Sequence, residues 1–269
     1  MPTLTLKIQY NKNEDLFISP TELMEKYLFG IPTCTTDGRK IPTQSIKKQI
    51  QTAQKRIENL FSIKLSKQVI EESRNFIRQE FNAWGYVRSM YPVTYIHWLK
   101  GYINDLCQIN YPKEWLSLKK TEGVAVYRNV HLIPNSAKSV EGGTTMSQHS
   151  IIYNGVSPHL GWFGQNYIPN YWRLKYITGW DAEDLPDDLA DMVAKFAAIN
   201  VLSIIGSYLY GVGLSSISIS LDGVSQNTPL TKGGKYGMFS DRISLYQDDI
   251  NQMMESLQYI YRGIAFDVL

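Results

Sequence analysis

Few residues of this chain have types that could do chemistry, and their spacing gives little for them to do. His97, His131, His149 and His159 could ligate a metal or move a proton, but no two sit at a helix-borne ligand spacing and no His-Glu-x-x-His occurs. Cys34 and Cys107 lack metal or redox spacing; free, buried thiols in a reducing compartment are expected. Gly233-Gly234-Lys235 lacks the earlier glycine and the following Ser or Thr of a phosphate loop, and there is no Gly-x-Ser-x-Gly elbow. Asp187, Asp188 and Asp191 resemble paired catalytic carboxylates, yet they fall where a helix begins and its dipole favours negative charge. The aromatic run Trp162, Phe163, Tyr167, Tyr171 and Trp172 would suit sugar stacking; in a β-rich stretch such rings more often form a core. No enzyme, cofactor or metal is therefore expected.

The elements that hold these residues centre on Tyr176–Asn227. Leu174–Ile177 reads as a strand that breaks at Thr178-Gly179-Trp180. An acidic lead-in ends at Leu185-Pro186, with Asp184 the expected N-cap and Pro186 in the first helical turn. The helix should run to about Tyr210. From Phe196 it is apolar nearly all round, so Phe196, Ile199, Leu202 and Ile205 should all be buried. Its 18 uncharged residues, Phe196–Gly213, approach a membrane span, but Asn200, Ser203, Gly206, Ser207 and the acidic entry argue against one. After Gly211 and Gly213, Leu214–Ser225 alternates apolar and small polar residues, the period of a strand.

Taken in order, Tyr176-x-x-Gly179-Trp180, Leu185-Pro186, a long apolar helix, then Gly213, Ser216, Ser218, Ser220, Asp222, Gly223, Val224 and Ser225, this pattern resembles the head–tail connector (adaptor) proteins of tailed bacteriophages. A weaker likeness extends to the paired helices and the aromatic stretch before Pro92. The resemblance implies a structural virion protein at the portal vertex or neck, made in the host bacterial cytoplasm. Its partners would be the portal protein, tail or further neck ring proteins, and copies of itself in a cyclic ring matching the portal's twelvefold symmetry. Packaged DNA would pass nearby, without specific recognition, and no membrane partner is implied. None of the matching residues is catalytic.

The remaining chain supplies the framework. With 269 residues and 43% apolar content it can bury a substantial core. The expected fold is mixed α+β, a helical-bundle core of the adaptor type with a β-rich insertion. Its divisions would be an N-terminal arm (1–18), a first helical-core segment (19–120), the insertion (121–180), and a second helical-core segment with a C-terminal helix (181–269). Ser19-Pro20-Thr21-Glu22 is a capping-box helix start. Ile46, Ile50, Ala53, Ile57, Leu60 and Phe61 mark an amphipathic second helix with Lys47, Lys48, Lys55 and Arg56 on its outer face. Residues 64–83 read as strand or helix, Asn135–Ser150 as a mobile loop. Ile243, Tyr246, Ile250, Met253, Leu257, Ile260 and Ile264 form a seam in a last helix capped by Ser240.

The net charge of +2 hides two opposite patches. Residues 39–78 hold ten Lys and Arg against three Glu, and residues 181–191 hold six acids and no base. Two solvated faces are one reading. In a ring, Asp187, Asp188 and Asp191 of one copy would meet Lys47, Lys48, Lys55 and Arg56 of the next and fix register. A competing function is adhesion or glycan binding by the insertion, which loss of binding on Trp162→Ala would reveal. A lysis enzyme ranks third.

Overall fold

A computed structural model describes residues 16–31, 40–79, 85–103, 105–118, 126–133, 138–140, 144–146, 167–181, 183–210, 216–221, 224–229 and 239–262. The fold is mixed α+β, and the chain divides into two compact units. One is built on Ser62–Asp181 and the residues from Tyr259, the other on Glu14–Phe61 and Ala182–Gln258.

The second unit is helical. Helix α1 starts at Pro20–Glu22 and widens into a π turn, Leu23–Tyr27, closed by the Leu28 N–H on the Leu23 carbonyl. Ser19 caps it as expected, its hydroxyl accepting from the Glu22 N–H at 3.0 Å. Glu22 does not reach back to complete the box; its carboxylate takes Lys26 one turn on. Helix α2 (Thr43–Phe61) buries Ile46, Ile50, Ala53, Ile57 and Phe61 of the expected stripe, while Leu60 is only partly buried. Helix α3 (Asp187–Tyr210) packs against α2, the π turn and helix α4 (Ser240–Leu257), which runs on as a π turn, Gln258–Arg262.

Over Asp187–Gly206, α3 is long and apolar enough to cross a membrane, and most of that span is buried within the fold. Leu189, Met192, Val193, Ala194, Phe196, Ala197, Ala198, Val201, Leu202 and Ile205 are buried. Full burial of a Leu or Ile side chain contributes about 1.5–3 kcal/mol, so this helix supplies much of the unit's stability. Ile199 departs from expectation: it is only partly buried. On α4, Ile243, Tyr246, Ile250 and Leu257 are buried and Met253 and Ile260 half-buried. Ile264 lies outside the described residues.

Both expected caps shift. Helix α3 begins one residue after Pro186, whose carbonyl accepts from the Leu189 and Ala190 N–H groups, so Asp184 stands outside the capping position. Phe239 occupies the N-cap of α4, while Ser240 is already helical and buried. In this unit's range, strands β10 (Ser216–Leu221) and β11 (Val224–Pro229) pair antiparallel, Leu221 opposite Val224. The alternating run is thus a hairpin and not one strand.

The first unit corrects the expected helical core over 19–120, because α2 ends at Phe61 and the described residues from there to 118 are mostly strand. Of residues 64–83, those described run to 79, and Gln68–Ile77 is strand β1. Strands β2 (Tyr86–Arg88), β3 (Tyr95–Ile103), β4 (Leu106–Asn110) and β5 (Leu116–Leu118) follow. Strands β6 (Asn129–Leu132) and β9 (Tyr167–Thr178) come from the stretch read as the insertion, as do β7 (Lys138–Val140) and β8 (Thr144–Met146), a small hairpin where a mobile loop was expected.

Strand β9 is central in the antiparallel order β1-β9-β3-β4, so the main sheet draws most of its strands from before residue 121. A second sheet has the order β2-β6-β5. One hydrophobic core includes Ile70, Phe76, Ile96, Leu99, Leu174 and Tyr176 from the first sheet and Val87, Val130 and Leu132 from the second. Tyr171 and Trp172 are in that core, so the aromatic run contributes core rings. Trp162, proposed for glycan stacking, lies outside the described residues. Cys107 is exposed on edge strand β4, contrary to the buried thiol expected.

Candidate functional site

The Tyr-x-x-Gly-Trp segment stands where β9 leaves the sheet, and each of its marked residues has a physical task. The Tyr176 ring is fully buried. Its hydroxyl donates to Glu72 Oε2 at 3.2 Å and accepts from the Tyr91 N–H at 3.2 Å. Glu72, two β1 residues removed from the position opposite Tyr176, has a fully buried side chain. The Met90 N–H donates to both its oxygens, at 3.0 and 3.2 Å, and Arg74 Nε stands at 3.6 Å.

Burial raises the Glu72 carboxyl above its usual range, opposed by the Arg74 charge and the hydrogen bonds from Met90 and Tyr176. Burial likewise raises the Tyr176 phenol, with Glu72 adding to it. Strands β1 and β9 therefore hold the turn Ser89–Tyr91 through side chains.

That turn is gripped from its other side by Ser89 and Arg128. The Ser89 hydroxyl has one proton and two carbonyl acceptors within reach, Tyr91 at 2.6 Å and Arg128 at 3.0 Å. Arg128 donates to the carbonyls of Met90, Ser62 and Tyr261, at 2.6, 3.1 and 3.2 Å. A single guanidinium thus satisfies three backbone acceptors from three segments, using its fork of donors.

Gly179 has φ +86°, and a Cβ there would meet the Ser66 carbonyl oxygen at 2.2 Å. The close approach lets the Trp180 N–H reach the Leu65 carbonyl (2.9 Å) and forms a parallel bridge between Ser66 and Trp180. Only glycine meets both demands. The Trp180 ring lies edge-on to Tyr261 at 6.1 Å, and Asp181 pairs with Lys67 at 2.5 Å.

The charged residues proposed for subunit contact separate into two groups. Asp187 and Asp188 are exposed in the first turn of α3, and Lys48 and Lys55 are exposed on α2. Asp191 is engaged within its own unit: it accepts from the Tyr27 hydroxyl at 2.7 Å and from Lys195 at 2.9 Å, and Lys195 also reaches Asp249 at 3.1 Å. Arg56 stacks on the Phe196 ring at 4.6 Å, so part of its surface covers α3. Lys47 is half-buried. Ser218 and Ser225 lie in the paired strands β10 and β11, while Gly213, Asp222 and Gly223 lie outside the described residues.

Glu72, Ser89 and Arg128 escaped sequence reasoning. The available signal for Glu72 was an acid within an apolar strand-like run, Val69-Ile70-Glu71-Glu72. Arg128 and Ser89 gave none, since their partners are backbone carbonyls, all but that of Tyr91 in distant segments. Glu72 has its acceptors occupied and no solvent access, so the arrangement fixes backbone. Among the described residues, no three His, Cys, Asp or Glu side chains group to hold a metal ion. His97 is exposed beside Tyr95, and His131 packs edge-on to Tyr86.

No protein-family model matches this chain, and no curated protein does. Among solved structures, the chain is similar to one described as "Virion of native gene transfer agent (GTA) particle", at 14% identity and a TM-score of 0.44. The match covers 72% of this chain and 82% of that one.

Proposed function

We propose that this chain is a structural virion protein that forms a ring at the portal vertex and joins the portal to the tail, acting by assembly and not by catalysis. The observation that carries the reading is the ordered motif around Tyr176, whose residues have architectural tasks. Tyr176 ties a turn to the sheet, Gly179 permits a close backbone crossing, and Pro186 opens the long helix.

The exposed charges fit a repeating interface. Asp187 and Asp188 on one copy would face Lys48 and Lys55 on the next, with Lys47 and part of Arg56 adding to the basic side. Asp191 is reassigned to holding α1 and α4 against α3 within its own chain. The partners proposed are the portal protein, tail or neck ring proteins, and further copies of this chain.

The test is mass photometry and negative-stain microscopy of purified protein with and without portal. A closed ring of the portal's symmetry is expected, at least with portal present. A protein that stays monomeric in both samples overturns the reading.

A further inference from the structure

The main sheet has a second face, turned away from the core, where aromatic rings and cations alternate. Tyr95 pairs opposite Ile177, Trp98 opposite Lys175 and Lys100 opposite Arg173. Those β9 partners are two residues apart and share one face. A bulge between Ile96 and Trp98 absorbs one extra residue of β3, and this brings Tyr95 onto the same face as Trp98. Tyr102 follows by alternation.

Each ring on this face carries a cation. Lys113 Nζ lies 4.3 Å from the Tyr95 centroid and donates to the Tyr95 hydroxyl; Lys100 Nζ lies 5.0 Å from the Trp98 centroid, and the Arg173 guanidinium 4.0 Å from that of Tyr102. Tyr95 is 44% exposed, and Trp98, Lys100, Tyr102, Arg173 and Lys175 are partly exposed. Among the described residues, Glu71 stands opposite Lys175 and Asp105 pairs with Arg173. Lys100 and Lys113 carry the surplus positive charge.

We infer that this face of β9 and β3 binds a single-stranded nucleic acid, its bases stacking on Tyr95, Trp98 and Tyr102 and its phosphates meeting Lys100, Lys113, Arg173 and Lys175. Three rings in a row on a rigid strand suit successive bases, since every base has a π face. Stacking of a base on a ring is stronger than an exposed cation–π contact. A base can therefore displace the resident cation, which is then free for a phosphate. A glycan would use the rings but not the cations, and an acidic peptide the cations but not a row of rings. The inference stands apart from ring assembly, and failure of either leaves the other untouched.

The test is fluorescence anisotropy of a labelled oligothymidylate with the full chain over a salt titration, with the duplex of the same length as reference. Log affinity should fall linearly with log salt, by about 0.7 per phosphate engaged, and the single strand should bind tighter than the duplex. Trp98→Ala should weaken binding roughly ten-fold. Lys100→Gln with Lys175→Gln should lower the salt slope by about 1.4. Should Trp98→Ala misfold, the exposed Tyr95→Ala reads the same loss. Any of three results overturns the inference: no binding at low salt, duplex binding as tight as single strand, or binding indifferent to Trp98 and Tyr95.

Discussion

The two units build their cores by opposite means. In the helical unit, α3 satisfies its backbone internally, so its sides can be aliphatic, and Leu189, Val193, Val201, Leu202 and Ile205 bury against α1, α2 and α4 with few polar side chains involved. In the β unit, segments that leave the sheets expose backbone groups to the interior. Side chains must satisfy them: Glu72 for Met90, Tyr176 for Tyr91, and Arg128 for Met90, Ser62 and Tyr261. The helical unit rests on non-directional burial and the β unit on directed bonds around one close crossing. Volume loss should therefore hurt the first most, and loss of a single atom's geometry the second.

The largest effect is expected in the helical unit. Leu202 is fully buried on α3, and Leu202→Ala should cost about 2–5 kcal/mol, the range of transfer and cavity terms together. Urea unfolding measures it, and hydrogen exchange should show the greatest loss of protection along α3, with β9 as reference. A loss under about 1 kcal/mol would mean the helix packs loosely, and the contrast would fail.

The matching change in the β unit adds one carbon. Gly179→Ala puts a Cβ against the Ser66 carbonyl and forces a residue with a side chain to φ +86°. Strain of this kind costs about 1–3 kcal/mol. Gly30 makes the control: it has φ +77° but open space around it, so Gly30→Ala should cost less. Equal losses at the two sites would show that the backbone angle alone matters and that the crossing at Ser66 does not.

The same contrast explains what the sequence disclosed. The helices were legible because a period of 3.6 is local: Ile46, Ile50, Ala53 and Ile57 announce α2, and Ile243, Tyr246 and Ile250 announce α4. The sheet was not. Bulges between Arg74 and Phe76 and between Ile96 and Trp98 break the alternation that marks a strand. Strand β9 finds its partners at residues 68–77 and 95–103, far back along the chain, and no local pattern reports such pairing. Tyr176, Gly179 and Trp180 could be singled out by order, yet their tasks depend on Glu72, Ser66 and Leu65, which only the fold brings near. The split within the aspartate cluster was likewise hidden, because Tyr27 and Lys195 choose Asp191 by helix phase.

A smaller effect tests the directed bonds. The Glu72 carboxyl is raised in the folded chain chiefly by burial, so the folded state holds its proton more tightly than the unfolded one. Between the ordinary glutamate value and the raised one, the folded chain binds more protons. Stability from this group is then fully present below the ordinary value and is lost as pH rises through the raised one. Glu72→Gln, which keeps a carbonyl to accept from Met90, should flatten that stretch of the pH profile. Thermal melts across the mildly acidic range measure it; an unchanged slope in the variant would assign the dependence elsewhere.

The smallest expected stability change separates the aspartates. Asp187 and Asp188 are exposed at the start of α3, where the dipole interaction is worth about 0.3–1 kcal/mol each. Replacing both by Asn keeps the size and should leave the fold near that bound. Asp191→Asn should cost more than either one alone, because it takes the charge from beside Lys195, whose side chain is mostly buried and is also held by Asp249. Association should order the variants the other way. If Asp187 and Asp188 face the basic α2 surface of a neighbour, the double variant weakens attachment to portal-bearing heads at low salt, and added salt narrows the gap from wild type by screening. Asp191→Asn should attach normally wherever it is folded. Should the double variant attach like wild type at low salt, the acidic row has no role in the interface, and the assembly reading must find its contacts on another surface.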